Sequence, residues 1–200
     1  MCARRVGIAI LAAGESRRMG RPKQMLPFRE STLLRHAVET AVASICRPIV
    51  VVIGAYAELT SAELQPLPVV VSHNPNWSSG IGSSLRVAIE TLAAFNDVEG
   101  IVITLSDQPL VTADTLNRIV EVHYGTGKEI VASEYADTHG VPLFIGKRFF
   151  DEIVALDGNE GAKRVIACHL EEVTTIPLAE AAFDIDTPAD YERLTGSNPR

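Results

Sequence analysis

Val6-Gly-Ile-Ala-Ile-Leu-Ala-Ala-Gly-Glu-Ser-Arg-Arg-Met-Gly-Arg-Pro-Lys23 carries the densest information in the chain. Residues 6–11 are apolar with no polar alternation, the pattern of a strand buried on both faces of a parallel sheet. Two glycines (Gly14, Gly20) and four cations (Arg17, Arg18, Arg21, Lys23) follow at once, so the strand runs straight into a charged, flexible turn. Arg4 and Arg5 ahead of the apolar run give it a passing likeness to a signal peptide. The run is short for that, and a charged loop follows it directly, so a buried first strand is the better reading.

Three further apolar runs, at 49–53, 69–71 and 101–105, read as strands of the same doubly buried kind. Helical patterns stand between and after them at 33–44, 58–64, 83–95 and 113–123, the last with Thr112 placed to cap it. Four strand–helix repeats predict an α/β fold with a mostly parallel, doubly wound sheet, right-handed crossovers and helices on both faces, three layers in all. The second half is less regular. It offers strands at 129–133 and 141–145, helices at 148–156 and 162–170, a strand at 173–176 and a last helix at 188–194. No linker, repeat or break in composition divides the 200 residues, so one domain over 1–200 is expected.

An apolar fraction of 46% supports a sizeable core, and 22% charge with ordinary glycine and proline usage excludes disorder, collagen, coiled coil and disulfide scaffolds. No apolar run approaches the ~18 residues that span a bilayer, which excludes a membrane protein. Cys2, Cys46 and Cys168 are odd in number and widely spaced, fitting a reducing cytoplasm with no disulfide or metal framework. The five histidines show no zinc spacing. Net charge is −7, against nucleic-acid binding. Its distribution says more: residues 1–23 hold six Lys/Arg and one acid, net +5, and the rest holds 12 bases and 24 acids, net −12. Something anionic belongs at the start of this acidic chain.

Open α/β sheets bind ligands beyond the carboxyl ends of their strands, so the loops after Leu11, Val71 and Leu105 matter most. The first is neither a dinucleotide fingerprint, lacking the middle glycine, nor a Walker A loop, lacking Ser/Thr after Lys23. Gly14-Glu-Ser16-Arg-Arg18 begins like a nucleophile elbow but has Arg18 where glycine is required. What remains is a backbone that can approach a ligand closely and cations able to neutralise a triphosphate, Arg18 as a fork and Lys23 as a point charge. In the second loop, Asn74-Pro-Asn-Trp-Ser-Ser-Gly-Ile-Gly-Ser-Ser-Leu85, Gly80 and Gly82 allow a tight turn into a helix N-terminus with free N–H groups. Ser83 or Ser84 could simply cap that helix, and Trp77 is either a packing anchor or a ligand contact. In the third, Ser106-Asp-Gln-Pro109, Asp107 ends an apolar strand, where a carboxylate is costly unless a cation meets it. Mg²⁺ favours one or two carboxylates with phosphate oxygens and water.

Leu-Ala-Ala-Gly-x-Ser-x-Arg-Met-Gly-x-x-Lys, from Leu11 to Lys23, resembles the signature of the MobA-like nucleotidyltransferases. Asn-Pro-x-Trp-x-x-Gly-x-x-x-Ser-Leu and Ser-Asp-Gln-Pro are similar to the branch that transfers cytidylyl groups to molybdopterin. The resemblance implies a nucleotide-diphospho-sugar transferase-like, Rossmann-like fold with a nucleotide-binding N-terminal half and an acceptor-binding C-terminal half. It implies that Leu11, Ala12, Ala13, Gly14 and Ser16 wrap the nucleotide, that Arg18 and Lys23 grip the triphosphate, and that Gly80 and Ser84 lie beside it. Asp107 would bind Mg²⁺. The closing motif Phe183-Asp-Ile-Asp-Thr-Pro-Ala-Asp190 matches best with Asp186 as second metal ligand, Asp184 and Asp190 being rivals. Two acceptor-side segments depart from the family's pattern: His139 is three positions upstream of Pro142 instead of adjacent, and Asn159 stands where Asp is usual.

The implied reaction moves CMP from CTP onto molybdopterin or its molybdenum-loaded form and releases pyrophosphate. Catalysis would rest on Lys23, Arg18 and Asp107, and the product would pass to a molybdenum hydroxylase or its chaperone. Relatives that use GTP carry Gly at the position of Ala13, so the extra methyl is expected to favour a pyrimidine. The rival expectations are the same chemistry with GTP or a sugar phosphate, a nicotinamide-dependent reductase, and a non-catalytic nucleotide-binding module.

Overall fold

The computed structural model describes residues 5–136, 138–158 and 160–196; Cys2, Arg4 and Asn159 lie outside them. Strand β1 (Arg5–Ala12) runs through the middle of a seven-stranded sheet. Beside it on one side lie β4 (Ile49–Ile53) and then the edge strand β5 (Val70–His73), both parallel to it. On its other side β6 (Val98–Leu105) is also parallel, and β8 (Thr138–Gly146) then pairs antiparallel with β6. β7 (Ile130–Tyr135) forms an antiparallel hairpin with β8, and β9 (Val173–Pro177) closes the sheet parallel to β7. The order is β5-β4-β1-β6-β8-β7-β9. A two-stranded ribbon, β2 (Pro27–Phe28) with β3 (Ser31–Thr32), stands apart.

Because successive side chains in a strand point to opposite faces, each central strand feeds two cores. Ala9 and Leu11 of β1, Val50 and Val52 of β4, and Ile101 and Ile103 of β6 share one core with helix α3 (Ile81–Ala93), α5 (Phe150–Val154) and α6 (Lys163–Cys168). Ile8 and Ile10, Val51 and Val102 share the other with α1 (Leu33–Ala43), α2 (Ala57–Leu64) and α4 (Ala113–Thr126). The result is the expected three-layer α/β fold. Thr112 caps α4, its hydroxyl accepting from the Thr115 N–H. Among the described residues no helix is long and apolar enough to cross a membrane, and Cys46 and Cys168 are unpaired.

Three expectations change. The run at 69–71 is not doubly buried: β5 is paired on one side only, and Val70 and Val71 stand 38% and 37% exposed because the helical layers only partly cover the outermost strand. The helix expected at 148–156 shrinks to α5 behind a 3₁₀ turn at Lys147–Phe149, and that at 162–170 ends at Cys168. A third, small core joins Met19, Leu26, Phe28 and Leu33 to Ile185 and Leu194, the latter on α7 (Pro188–Gly196). It clamps the cationic loop against the C-terminal segment. That clamp brings together residues more than 160 positions apart.

Candidate active site

β1, β4, β5 and β6 end on one edge of the sheet, and the segments that follow β1, β5 and β6 enclose a cleft of about 360 Å³. Its walls include 11–17, Lys23, Gln24, Trp77, Gly80, Ser84 and Asp107. The first loop is held from inside. Gln24, 2% exposed, donates from its amide nitrogen to the carbonyls of Ala12 (3.1 Å) and Gly14 (2.8 Å), and accepts from the Ser16 hydroxyl at 3.3 Å. Ser16 takes φ +59°, receives the Lys23 N–H on its hydroxyl, and lends its carbonyl to the N–H groups of Met19 and Gly20. The Tyr56 hydroxyl donates to the Glu15 carbonyl at 2.9 Å. Sequence reasoning did not single out Gln24. Gln24→Ala removes all three of its bonds and strands buried carbonyls, so unfolding free energy should fall by about 1–3 kcal/mol. The nucleotide KM should rise with it, and chemical denaturation and initial-rate kinetics check the two effects.

Lys23 organises the charges. Its ammonium donates to Asp107 Oδ2 in a short contact and to Asp186 Oδ1 at 3.0 Å, while Arg18 Nη2 reaches Asp186 Oδ2 at 2.7 Å. Burial alone would lower the Lys23 pKa, but Asp107 and then Asp186 more than offset it, and the amine ends above its ordinary value. Lys23 is therefore charged at any physiological pH. The Ile185 N–H donates to the Asp107 carbonyl at 3.0 Å, which pins the C-terminal acidic segment to the end of β6. Asp107 Oδ1 is buried and, among the described residues, has no hydrogen-bond partner. A buried carboxylate oxygen without a partner, beside a second carboxylate already sharing a cation, fits a divalent ion. Among the described residues no cluster of three ligating side chains exists. Phosphate oxygens and water would have to supply the remaining ligands.

The three C-terminal acids separate. Asp186 joins Lys23 and Arg18. Asp190 accepts from Thr187 Oγ1 and from the N–H groups of Thr187 and Asp186, and pairs with Arg193. The Thr187 hydroxyl is the largest influence holding its carboxyl down to about 2, and its place is the first turn of α7. Asp184 turns instead to a second hollow of about 370 Å³, where burial first, and Asp107 next, push it up to about 6.

In the second loop Ser84 is buried and accepts from the Asn74 amide at 2.9 Å, as does Ser83. Neither serine caps α3. Nor is the helix N-terminus fully free. The Gly82 N–H donates to the Gly158 carbonyl at 2.8 Å and that of Ser83 to Gly80, because Asp157, Gly158 and Glu160 lie against this turn. A Cβ on Gly82 would collide with the Glu160 and Asp157 carbonyls, so glycine is required there. Gly80 takes φ +107°. Trp77 packs on the first core, as an anchor would, and also lines the cleft. His139 faces Glu134 across the β7–β8 hairpin and lines neither hollow. The second hollow shares Leu11, Ile81 and Leu105 with the first, and its walls come from both halves of the chain.

Residues 8–173 match the MobA-like NTP transferase domain. The chain belongs to the MobA-like NTP transferase family. Among its relatives is nicotine blue oxidoreductase of Paenarthrobacter nicotinovorans, 39% identical over 117 residues, a stretch covering 57% of this chain and 55% of that protein. Purine catabolism protein PucB of Bacillus subtilis is 29% identical over 92% of this chain and 93% of its own length. Molybdenum cofactor cytidylyltransferase of Escherichia coli is 25% identical over 91% of each. The crystal structure of Rv0371c from Mycobacterium tuberculosis superposes with a TM-score of 0.82 at 32% identity, covering 97% of this chain and 98% of that one. Rv0371c has also been crystallised with manganese, and that structure superposes at 0.77 with 31% identity over 96% and 98%. This MobA-like chain thus shares its fold with Rv0371c over nearly its whole length.

Proposed function

We propose that the protein transfers CMP from CTP to molybdopterin, bare or molybdenum-loaded, with release of pyrophosphate. The observation that carries this reading is Lys23, on the wall of the first cleft, held between Asp107 and Asp186, with a second and more apolar hollow adjoining. Nucleotidyl transfer needs that layout: a triphosphate on one side, an acceptor on the other, and fixed charge at the boundary. The glycine-bearing loop 11–16 and the Gly80–Ser84 turn would hold the nucleotide, and the hollow bordered by Val141 and 161–163 the acceptor. The acceptor's terminal phosphate would attack the α-phosphorus in line, and the P–O bond to pyrophosphate breaks. No side-chain nucleophile is required; the protein aligns the two phosphates and stabilises charge. Lys23 and Arg18 would meet the negative charge that gathers on the leaving pyrophosphate. Mg²⁺ held by Asp107 and Asp186 would neutralise the reacting phosphates.

The likeness to a molybdenum cofactor cytidylyltransferase over nine-tenths of both chains supports the acceptor, and that to a purine catabolism protein agrees with delivery to a molybdenum hydroxylase or its chaperone. The cysteine usage supports a cytoplasmic setting. The likeness to nicotine blue oxidoreductase favours one second reading, a nicotinamide-dependent reductase. Pyrophosphate release assayed with purified molybdopterin and each NTP, beside NADPH titration, separates the two. NADPH binding without NTP turnover would replace the transferase reading.

Ala13 bears on the base. Its methyl packs in the floor of the cleft, so close to Gly54 that a Cβ there would lie 2.8 Å from Ala13 Cβ and 2.8 Å from Trp77 Cβ. Removal of the methyl from this wall leaves more room for a larger base. CTP is expected to be used at least about tenfold better than GTP, since one methyl discriminates by only ~1–3 kcal/mol. Ala13→Gly should erode that margin without abolishing transfer. Comparison of kcat/KM for CTP and GTP on one acceptor preparation decides it; equal use of GTP by the unmodified protein removes the cytidylyl assignment alone.

A further inference from the structure

The second hollow contains a polar pattern that the transfer chemistry does not use. Most of its wall is hydrocarbon: Leu11, Leu85, Ile103, Leu143 and Ala162 among others. Into this wall are set Gln108, Asp184, Tyr135 and Lys163, the last with its ammonium on Thr138 Oγ1 at 3.5 Å. Gln108 is 3% exposed, and its amide nitrogen donates to the carbonyls of Val141 (3.2 Å) and Ala181 (3.0 Å). Two carbonyl partners fix which end of the amide is nitrogen, and both N–H bonds are spent on them. Its Oε1 is left buried with no partner among the described residues, and Asp184 Oδ1 is in the same condition. Buried acceptors are costly when unmet, so two in one small hollow mark where a ligand supplies donors.

We infer that Gln108 and Asp184 are specificity-determining residues for the acceptor, reading a flat heteroaromatic ring through two N–H donors on one edge. The aliphatic walls would take the ring faces and the two oxygens its donor edge, as the 2-amino and N3–H groups of an aminopyrimidinone present it. A ring with a carbonyl at that position turns an oxygen toward a carboxylate and is rejected. The choice of a pterin rests on the transferase reading above; the demand for a donor edge rests on the two oxygens alone. The chain places the two functions side by side. Asp107 lines the first cleft and Gln108, the next residue, lines the second hollow; Asp184 lines that hollow too, while Asp186, across Ile185, pairs with Lys23 of the first cleft.

Ligand-observed NMR titration of the full chain with pterin (2-amino-4-oxopteridine) and with lumazine (2,4-dioxopteridine) tests this. Pterin should bind at least about tenfold more tightly than lumazine, because a site built for an N–H rejects the analogue that lacks it. Asp184→Ala should lose that preference and weaken pterin binding by a similar factor, with CTP affinity within about twofold of wild type as the sign that the variant is folded. The volume-preserving Asp184→Asn, which can still present an acceptor, should retain part of the preference. Equal binding of the two rings, no binding of pterin, or full pterin affinity in Asp184→Ala overturns the assignment. Failure of the transferase reading looks different: no CMP transfer to molybdopterin while the protein still prefers pterin to lumazine.

Discussion

Asp107→Asn is expected to lower Mg²⁺-dependent pyrophosphate release by about three powers of ten or more, with the protein still folded. The substitution keeps the volume and removes the charge. It acts at a site with two distinct uses for the carboxylate: Oδ2 takes the Lys23 ammonium, and Oδ1 is buried with no partner among the described residues. An amide still accepts from Lys23 through its oxygen, but its NH₂ cannot ligate a cation. The loss belongs with the removal of fixed electrostatic stabilisation from a transferring phosphoryl group, where one well-placed contact is already worth ~10²–10³ and a metal ligand more. Stability should suffer far less. Lys23 keeps Asp186, and the backbone bond from Ile185 to the residue-107 carbonyl does not involve the side chain. A loss of roughly 1–2 kcal/mol is expected, below that of a buried charge left wholly unpaired. Turnover is compared per folded molecule, with circular dichroism as the control. Near wild-type release in the variant would remove Asp107 from the chemistry.

That Asp107 could be singled out in advance, and Gln108 could not, follows from how each residue meets its surroundings. β1, β4 and β6 were legible because central parallel strands are buried on both faces and so are apolar throughout. The Val-Val run of β5 carries the same letters, and only its place at the edge of the sheet exposes it. Strands two residues long, as in the β2–β3 ribbon, hold no period to read. Lys23 and Asp107 stood out because charge directly after an apolar strand is expensive and needs a reason. Gln24 and Gln108 gave no such signal. A buried amide reveals itself only through partners elsewhere in the fold, such as Ala12 and Gly14 for one, Val141 and Ala181 for the other. The acids at 184, 186 and 190 lie within one seven-residue stretch. Arg18 and Lys23 select Asp186 from the far end of the chain, and Thr187 and Arg193 claim Asp190 locally.

Lys23 and Arg18, equivalent as cations in one loop, should separate in the kinetics. The Lys23 side chain is 15% exposed and bound at both ends of its reach by carboxylates; that of Arg18 is 70% exposed and holds Asp186 from the solvent side. Exposed pairs are screened and contribute little, whereas a desolvated charge keeps most of its field. Lys23→Met preserves the aliphatic stem and deletes the ammonium. Its kcat/KM for CTP should fall by ~10²–10³, the scale of one transition-state contact in a water-poor site. Arg18→Ala should cost about tenfold or less, most of it in KM, and less still at high salt. The effect of Lys23→Met should also extend to stability, since Asp107 and Asp186 lose the cation between them and repel one another. Steady-state kinetics at two ionic strengths, with urea melts of each variant, resolve the contributions. If Lys23→Met turned over like wild type and only its melt shifted, the lysine would be a structural counter-ion. If Arg18→Ala were the more damaging change, the grip on the triphosphate would belong to the exposed arginine, and the buried ion pair would serve only to tie the first loop to the last.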